Sequence, residues 1–132
     1  MKEFMLLVRN GIDHQAGWSP ERHQQFLAQC EDYIGSLKGG GNLVSAQPLQ
    51  RTGSMVSRPQ GAWIAAPFSD SNEVIVGYYH ILARDMEDAV EIARRNPEFS
   101  FGTTARIEVR PVKANEESTG FVYPQRQNAS EK

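Results

Sequence analysis

Two histidines are the side chains of this sequence best suited to moving a proton. The unperturbed pKa of a histidine, about 6.5, suits general acid–base catalysis near neutral pH. His23 lies on the apolar stripe of a predicted helix, and His80 lies in an apolar strand. Structural interpretations compete with both roles, because His23 can be a packed or rim residue and His80 a core residue bonded to the backbone. We treat both as candidate catalytic residues.

Four further side chains are candidates for binding a ligand. Tyr78 and Tyr79 point to opposite faces of one strand, so at most one of them lines a given cavity, and Tyr79 is the candidate. Asp70 follows a proline–phenylalanine turn, which it can equally well cap. Glu108 and Arg110 share one face of the last strand, where a solvated salt bridge is the competing interpretation.

Metal and cofactor motifs are lacking in the sequence. The three histidines, His14, His23 and His80, do not have the spacing of metal ligands, and Cys30 is the single cysteine. His14 and His23 can converge only if the loop between them folds over the helix. The glycines at 39–41 follow a helix instead of preceding one, so they do not form a phosphate-binding loop. We predict no metal site and no redox cofactor.

Length and composition predict one cytoplasmic domain. The chain has 132 residues, and its 14 basic and 16 acidic residues nearly cancel, which does not favour nucleic-acid binding. No segment approaches the roughly 20 apolar residues of a membrane span. The apolar run at 4–8 is too short for the core of a signal peptide. A single cysteine suits a reducing compartment.

The apolar periodicity predicts the order strand, helix, strand, short strand, strand, helix, strand. Right-handed crossovers then place both helices on one face of a four-stranded antiparallel sheet, which is an α+β, ferredoxin-like βαββαβ domain over residues 1–113. Residues 114–132 are polar and aperiodic, and we predict a mobile tail. Gly77, inside an apolar strand, indicates a bulge or a close backbone approach. The predicted strands cover 3–9, 43–57, 62–65, 73–83 and 105–112, and the predicted helices begin at Ser19–Pro20 and at Asp85.

The strands at 3–9 and 73–83 are apolar on both faces, although two helices can cover only one face of the sheet. An uncovered apolar face of that size predicts an interaction surface. The simplest partner is a second copy related by a two-fold axis, so we expect a homodimer. A ligand cavity is expected between the sheet and its flanking loops, with apolar walls and a few polar groups.

A short segment, AAPFSDSNEVIVGYY at residues 65–79, resembles the signature of the YCII-related family in its DGPF branch. Residues 2–6, 89–93 and 107–111 are similar to the first strand, the second helix and the closing motif of that family. This chain has Ala65-Ala66 where the branch has Asp-Gly, and Asp70 is the next acidic residue. The signature positions that fall in register are Pro67, Phe68, Asp70, Glu73, Gly77, Tyr78 and Tyr79.

The resemblance implies a dimeric α+β barrel. The family's function is mostly unknown, but at least one relative acts as a dehydrochlorinase on a chlorinated aromatic. Other members carry a helix histidine in a His-x-x-Tyr-Leu setting proposed as part of an active site, which residues 23–27 resemble.

Two hypotheses follow. The chain is a lyase- or isomerase-type enzyme for a small, largely apolar molecule, in which His23 or His80 moves a proton and a tyrosine or Arg110 steadies negative charge. Alternatively, it is a non-catalytic binding or regulatory dimer that uses the same cavity.

Overall fold

The computed structural model of the chain describes residues 1–68 and 73–124. Within these residues, strands and helices follow the order that the sequence predicts, with one additional strand and one additional 3₁₀ helix. The elements are β1 Lys2–Gly11, α1 Pro20–Gly39, β2 Leu43–Pro48, β3 Ser54–Ser57, β4 Ile64–Pro67, β5 Glu73–Ala83, α2 Met86–Arg94, the 3₁₀ helix Pro97–Ser100 and β6 Arg106–Pro111.

Four of the strands form an antiparallel sheet in the order β2-β5-β1-β6. This order, with one helix after β1 and one after β5, is that of a ferredoxin-like fold and confirms the predicted α+β class. The predicted strand at 43–57 is in fact two strands. β2 ends at Pro48, which has no N–H to continue the ladder, and β3 pairs instead with β4 in a separate two-stranded ribbon.

Local signals fix where the helices begin. The Ser19 side chain accepts a hydrogen bond of 3.1 Å from the Arg22 N–H, and Pro20 occupies the first helical position of α1. At α2, the Asp85 side chain accepts a bond of 2.9 Å from the Asp88 N–H. Both predicted helix starts are therefore confirmed. Neither helix in the described residues has the length and apolarity that crossing a membrane requires.

Both helices pack on one face of the sheet. Alternate residues of β1 point toward them and are almost fully buried, which follows from the two-residue period of a strand. The opposite face, here called the outer face, carries half-buried apolar side chains, among them Met5 and Leu7. The core is formed by Phe4, Leu6, Val8, Tyr33, Leu37, Val74, Val76, Tyr79, Ile81, Ala83, Ala89, Ile92 and Ala93.

After β6 the chain makes a closed turn. The Tyr123 N–H donates to the Ala114 carbonyl at 2.9 Å, and a single β-bridge joins Asn115 to Val122. The turn carries the aromatic pair Phe121 and Tyr123, whose ring centroids are 5.2 Å apart. The beginning of the predicted tail is thus a hairpin-like turn.

Candidate functional site

A cavity of about 600 Å³ opens on the helix-covered side of the sheet, between α1, β2 and β5. Its walls are mostly apolar, while its polar groups come from α1 and the loop before it, from β2 and the loop after it, from β5, and from the 3₁₀ helix and its N-cap. This is the mixture typical of small-molecule sites. The apolar side chains that line it include Val8, Phe26, Leu27, Ile34, Leu49 and Val76.

Gly77 shapes one wall of the cavity. A Cβ atom at this position would lie 3.1 Å from the Gln47 carbonyl oxygen and 3.4 Å from Pro48 Cα, so glycine lets β2 approach β5 without crowding, whereas a larger residue would push β2 away by a few tenths of an ångström. The pairing of β1 with β5 also shifts register here, between Val8 and Arg9. An interior glycine predicts a bulge or a close backbone approach, and the structure has both at Gly77.

A buried carboxylate lies at the inner end of the cavity. Glu98 belongs to the 3₁₀ helix, is 9% exposed, and lines the cavity. Its Oε1 accepts a hydrogen bond of 2.9 Å from Asn10 Nδ2 and lies 3.3 Å from His14 Nε2. The His14 side chain is itself only 7% exposed. A buried carboxylate requires such partners, since an unpaired charge in the interior is strongly disfavoured.

His14 connects this carboxylate to a cation. Arg51 Nη2 lies 3.1 Å from His14 Nδ1, and the Gly11 carbonyl oxygen lies 3.0 Å from the same nitrogen. The neutral tautomer that suits both Glu98 and Arg51 carries its hydrogen on Nε2 and accepts the Arg51 hydrogen at Nδ1. In the doubly protonated ring, Nδ1 donates to Gly11 instead and then faces the guanidinium cation. His14 therefore links the Glu98 carboxylate to the Arg51 guanidinium.

Two ionisable side chains that line the cavity, Tyr79 and Cys30, have pKa values raised by burial. Burial raises the pKa of Tyr79 to about 12, with smaller contributions from Cys30 and Glu98, while the Asn96 amide opposes the rise. Burial likewise raises the pKa of the Cys30 thiol to about 11. Tyr33 packs its ring against Tyr79 at 5.3 Å between centroids and donates its hydroxyl to the Ile92 carbonyl at 2.6 Å. The Tyr79 hydroxyl therefore stays a hydrogen-bond donor over the physiological range.

His23 lines the outer part of the cavity and is exposed to solvent. Trp18 contacts it edge-on, with the ring centroids 6.3 Å apart, and contacts His14 at 6.1 Å. The loop before α1 places the Trp18 ring between the two histidines, so both contact the indole without contacting each other directly in any described interaction. Among the described residues, no group of three or more histidine, cysteine or acidic side chains is arranged to hold a metal ion.

Three of the predicted site residues lie on the outer face, away from this cavity. His80 Nε2 is 2.7 Å from Glu3 Oε1. Glu108 pairs with Arg9 at 3.2 Å and lies 3.7 Å from Arg110. Successive side chains of a strand point to opposite faces of the sheet, so His80, Glu108 and Arg110 lie on the face opposite to that of Tyr79. The structure therefore brings together His23 and Tyr79 but not His80, Glu108 or Arg110.

Asp70 lies outside the described residues.

Most polar residues at the inner end of the cavity are not apparent as site residues from the sequence. Glu98 offers a weak signal, since a single acid between Pro97 and Phe99 sits in an apolar setting where only a partnered carboxylate is tolerated. Asn96 reads from sequence only as the residue before a proline that ends a helix. Arg51 carries no signal at all, because its neighbourhood is created by loops distant in sequence.

A comparison with known protein families gives one finding. Residues 3–113 match the family model described as the YCII-related domain. No curated protein gives a significant match to the chain.

Proposed function

We propose that this chain, which belongs to the YCII-related family, binds a small, largely apolar organic molecule in the cavity and moves a proton on it without a redox cofactor. The reaction class is that of a lyase or isomerase. The observation that carries the proposal is the cavity itself, in which apolar walls surround a histidine, a protonated tyrosine and a buried carboxylate. Convergent polar groups in an apolar pocket are the usual composition of such sites.

His23 is the general base of this proposal. It lines the cavity, it is exposed enough to exchange its proton with solvent, and its ring is held by Trp18. Tyr79 lies deeper and supplies the donor that stabilises negative charge on the substrate, because its raised pKa keeps the hydroxyl protonated. Arg110, an alternative for that role on sequence grounds, lies on the outer face.

Hydrogen–deuterium exchange into substrate tests the proposal without knowledge of the product. The protein is incubated in D₂O with a panel of small phenols, enolisable ketones and haloaromatic compounds, and loss of proton signals is followed by NMR. We expect catalysed exchange in at least one compound, a decrease of about 100-fold or more in His23→Ala, and retained binding. His80→Ala is the matched control and is expected to exchange at the wild-type rate. Equal rates in wild type and His23→Ala would refute the role of His23.

A non-catalytic binding or regulatory dimer is the second candidate. It is favoured by Ala65-Ala66, which stand where the resembled DGPF branch carries an acidic residue. In the same experiment this candidate predicts binding of some compounds with no exchange in any of them. The DGPF branch and a cytoplasmic location belong to the proposal as well, supported by the Pro67-Phe68 and Gly77-Tyr78-Tyr79 positions and by the single cysteine.

A homodimer is part of both candidates. It is supported by the half-buried apolar side chains of the outer face and by the β3–β4 ribbon, where Met55, Val56 and Ile64 are exposed and Trp63 is 71% exposed. A two-stranded ribbon is only marginally stable in water by itself. Burial of its exposed apolar side chains against a second copy of the chain would therefore stabilise it.

Sedimentation velocity at micromolar concentration is expected to give a dimer. Leu7→Lys, on the outer face, is expected to shift it to monomer, whereas Gln24→Lys, on the exposed side of α1, is expected to leave it unchanged. A monomeric wild type would refute the dimer.

A further inference from the structure

Two buried side-chain nitrogens in the described part of the chain have no hydrogen-bond partner. They are Arg51 Nε and Asn96 Nδ2, and both residues line the cavity. Buried polar groups are nearly always paired, so an unpaired one calls for a ligand, an ion or a water. Both atoms are donors. The Asn96 amide also interacts with the hydroxyls of Tyr33 and Tyr79 and opposes the rise of their pKa values, so the stronger demand for an added acceptor comes from Arg51 Nε.

The orientation of Asn96 is fixed by its other atom. Its Oδ1 accepts a hydrogen bond of 2.9 Å from the Glu98 backbone N–H, which caps the 3₁₀ helix. Exchanging the amide oxygen and nitrogen would break this bond, so the Nδ2 assignment follows from the network. Asn96 is 2% exposed, and bulk water does not satisfy its free N–H groups.

Arg51 brings a positive charge to the wall of the cavity. Among the described residues its guanidinium forms no ion pair with a carboxylate and instead contacts His14. Glu98, the nearest acid in this chain of contacts, is already held by Asn10 and His14. A guanidinium at a cavity wall is best matched by a carboxylate, which it can bind through two parallel hydrogen bonds.

We propose that the ligand of this cavity is a small organic carboxylate, with its carboxylate bound by Arg51 and a second oxygen acceptor bound by Asn96. The inference rests on the proposed function and names the class of its ligand. The apolar side chains of α1 and β5 take the hydrocarbon body, and about 600 Å³ accommodates an aryl or short alkyl acid. Because Arg51 Nε is shut off from solvent, this binding requires the guanidinium to rotate until Nε faces the cavity, where the carboxylate then supplies the acceptor.

Matched pairs of acids and amides isolate the effect of the negative charge. We would measure the affinities of benzoate and benzamide, and of phenylacetate and phenylacetamide, by NMR titration of the full-length protein. Protection of Cys30 from alkylation reports occupancy of this cavity, because that thiol lines it. We expect each carboxylate to bind at least 10-fold more tightly than its amide and to protect Cys30.

Two substitutions of Arg51 and one control substitution test whether Arg51 binds the carboxylate. Arg51→Gln is expected to abolish the preference for carboxylates. Arg51→Lys, which keeps the charge without the planar fork, is expected to reduce it only in part. Arg58→Gln is the matched control, since that side chain binds the Gly61 carbonyl in the β3–β4 ribbon, and it is expected to retain the full preference.

The outcomes separate this inference from the proposed function. Equal affinity for acids and amides with protection of Cys30 would overturn the carboxylate assignment and leave the cavity as a ligand site. A preference that persists in Arg51→Gln would equally overturn the role of Arg51. Absence of binding and of Cys30 protection by all four compounds at millimolar concentration would overturn the carboxylate assignment, whereas the proposed function is decided separately by the exchange panel.

Discussion

Replacing Asn10 with alanine is expected to lower the free energy of unfolding by about 3.5–5 kcal/mol. Asn10 is 3% exposed in β1 and joins three separate segments. Its Nδ2 donates to Glu98 at 2.9 Å, while its Oδ1 accepts from the Gly11 N–H at 2.8 Å and from Thr104 Oγ1 at 2.6 Å. Alanine removes all three bonds and supplies none.

The size of the expected effect follows from the type of each bond. The two bonds between neutral groups contribute roughly 1 kcal/mol each, and the bond to the carboxylate contributes roughly 1.5–3 kcal/mol. Without Asn10, the buried Glu98 side chain keeps only His14 as a side-chain partner. The loss of unfolding free energy is therefore expected near the upper end of this range. Since a domain of this size is stabilised by about 5–15 kcal/mol in total, the variant is expected to be folded but markedly weaker.

Urea denaturation followed by circular dichroism measures this difference. Protein concentration is held constant, because dimer formation would otherwise shift the midpoint. Asn42→Ala is the matched control. That side chain donates one bond of 2.8 Å to the Leu82 carbonyl and is half-buried, so a loss of about 1 kcal/mol is expected. A loss in Asn10→Ala no larger than that of the control would refute the reasoning that Asn10 holds the inner end of the cavity together.

Three further predictions address the cavity. Gly77→Ala is expected to destabilise the protein by about 1–3 kcal/mol in urea denaturation, because its Cβ would crowd Gln47. Gly35→Ala, in open space on α1, is expected to stabilise it by about 0.5–1 kcal/mol, and the same sign for both would contradict the packing argument. Since the pKa of Tyr79 is raised from 10.0 to about 12, the folded state binds this proton more tightly than the unfolded state; stability is expected to fall between pH 10 and 12, and a Tyr79→Phe variant with an unchanged slope would disprove that origin. Alkylation of Cys30 by iodoacetamide at pH 8 is expected to be about 100-fold slower than in the urea-unfolded chain, and equal rates measured by mass spectrometry would show that the thiol is not buried in the folded protein.

The sequence indicates some residues of the cavity more clearly than others. His23 is a candidate from sequence because a histidine suits proton transfer near neutral pH, and Tyr79 because strand alternation separates it from Tyr78; the structure places both at the cavity. Glu98 and Arg51 were not found, since each is an ordinary charged residue until chain segments far apart in sequence bury it beside its partners. His80 was a reasonable candidate by type, yet strand parity alone could not tell which face holds the cavity.

The sequence by itself determined the elements and their order. Ser19 and Asp85 set the helix starts through local hydrogen bonds, and the period-two pattern of β1 set which residues are buried, because these effects act within a few residues. Only the tertiary structure decided that the cavity lies on the helix side of the sheet and that Asn10, His14, Arg51 and Glu98 meet at its inner end. Those contacts join residues up to 88 positions apart. They depend on how loops close over the sheet, and local propensity does not encode that closure.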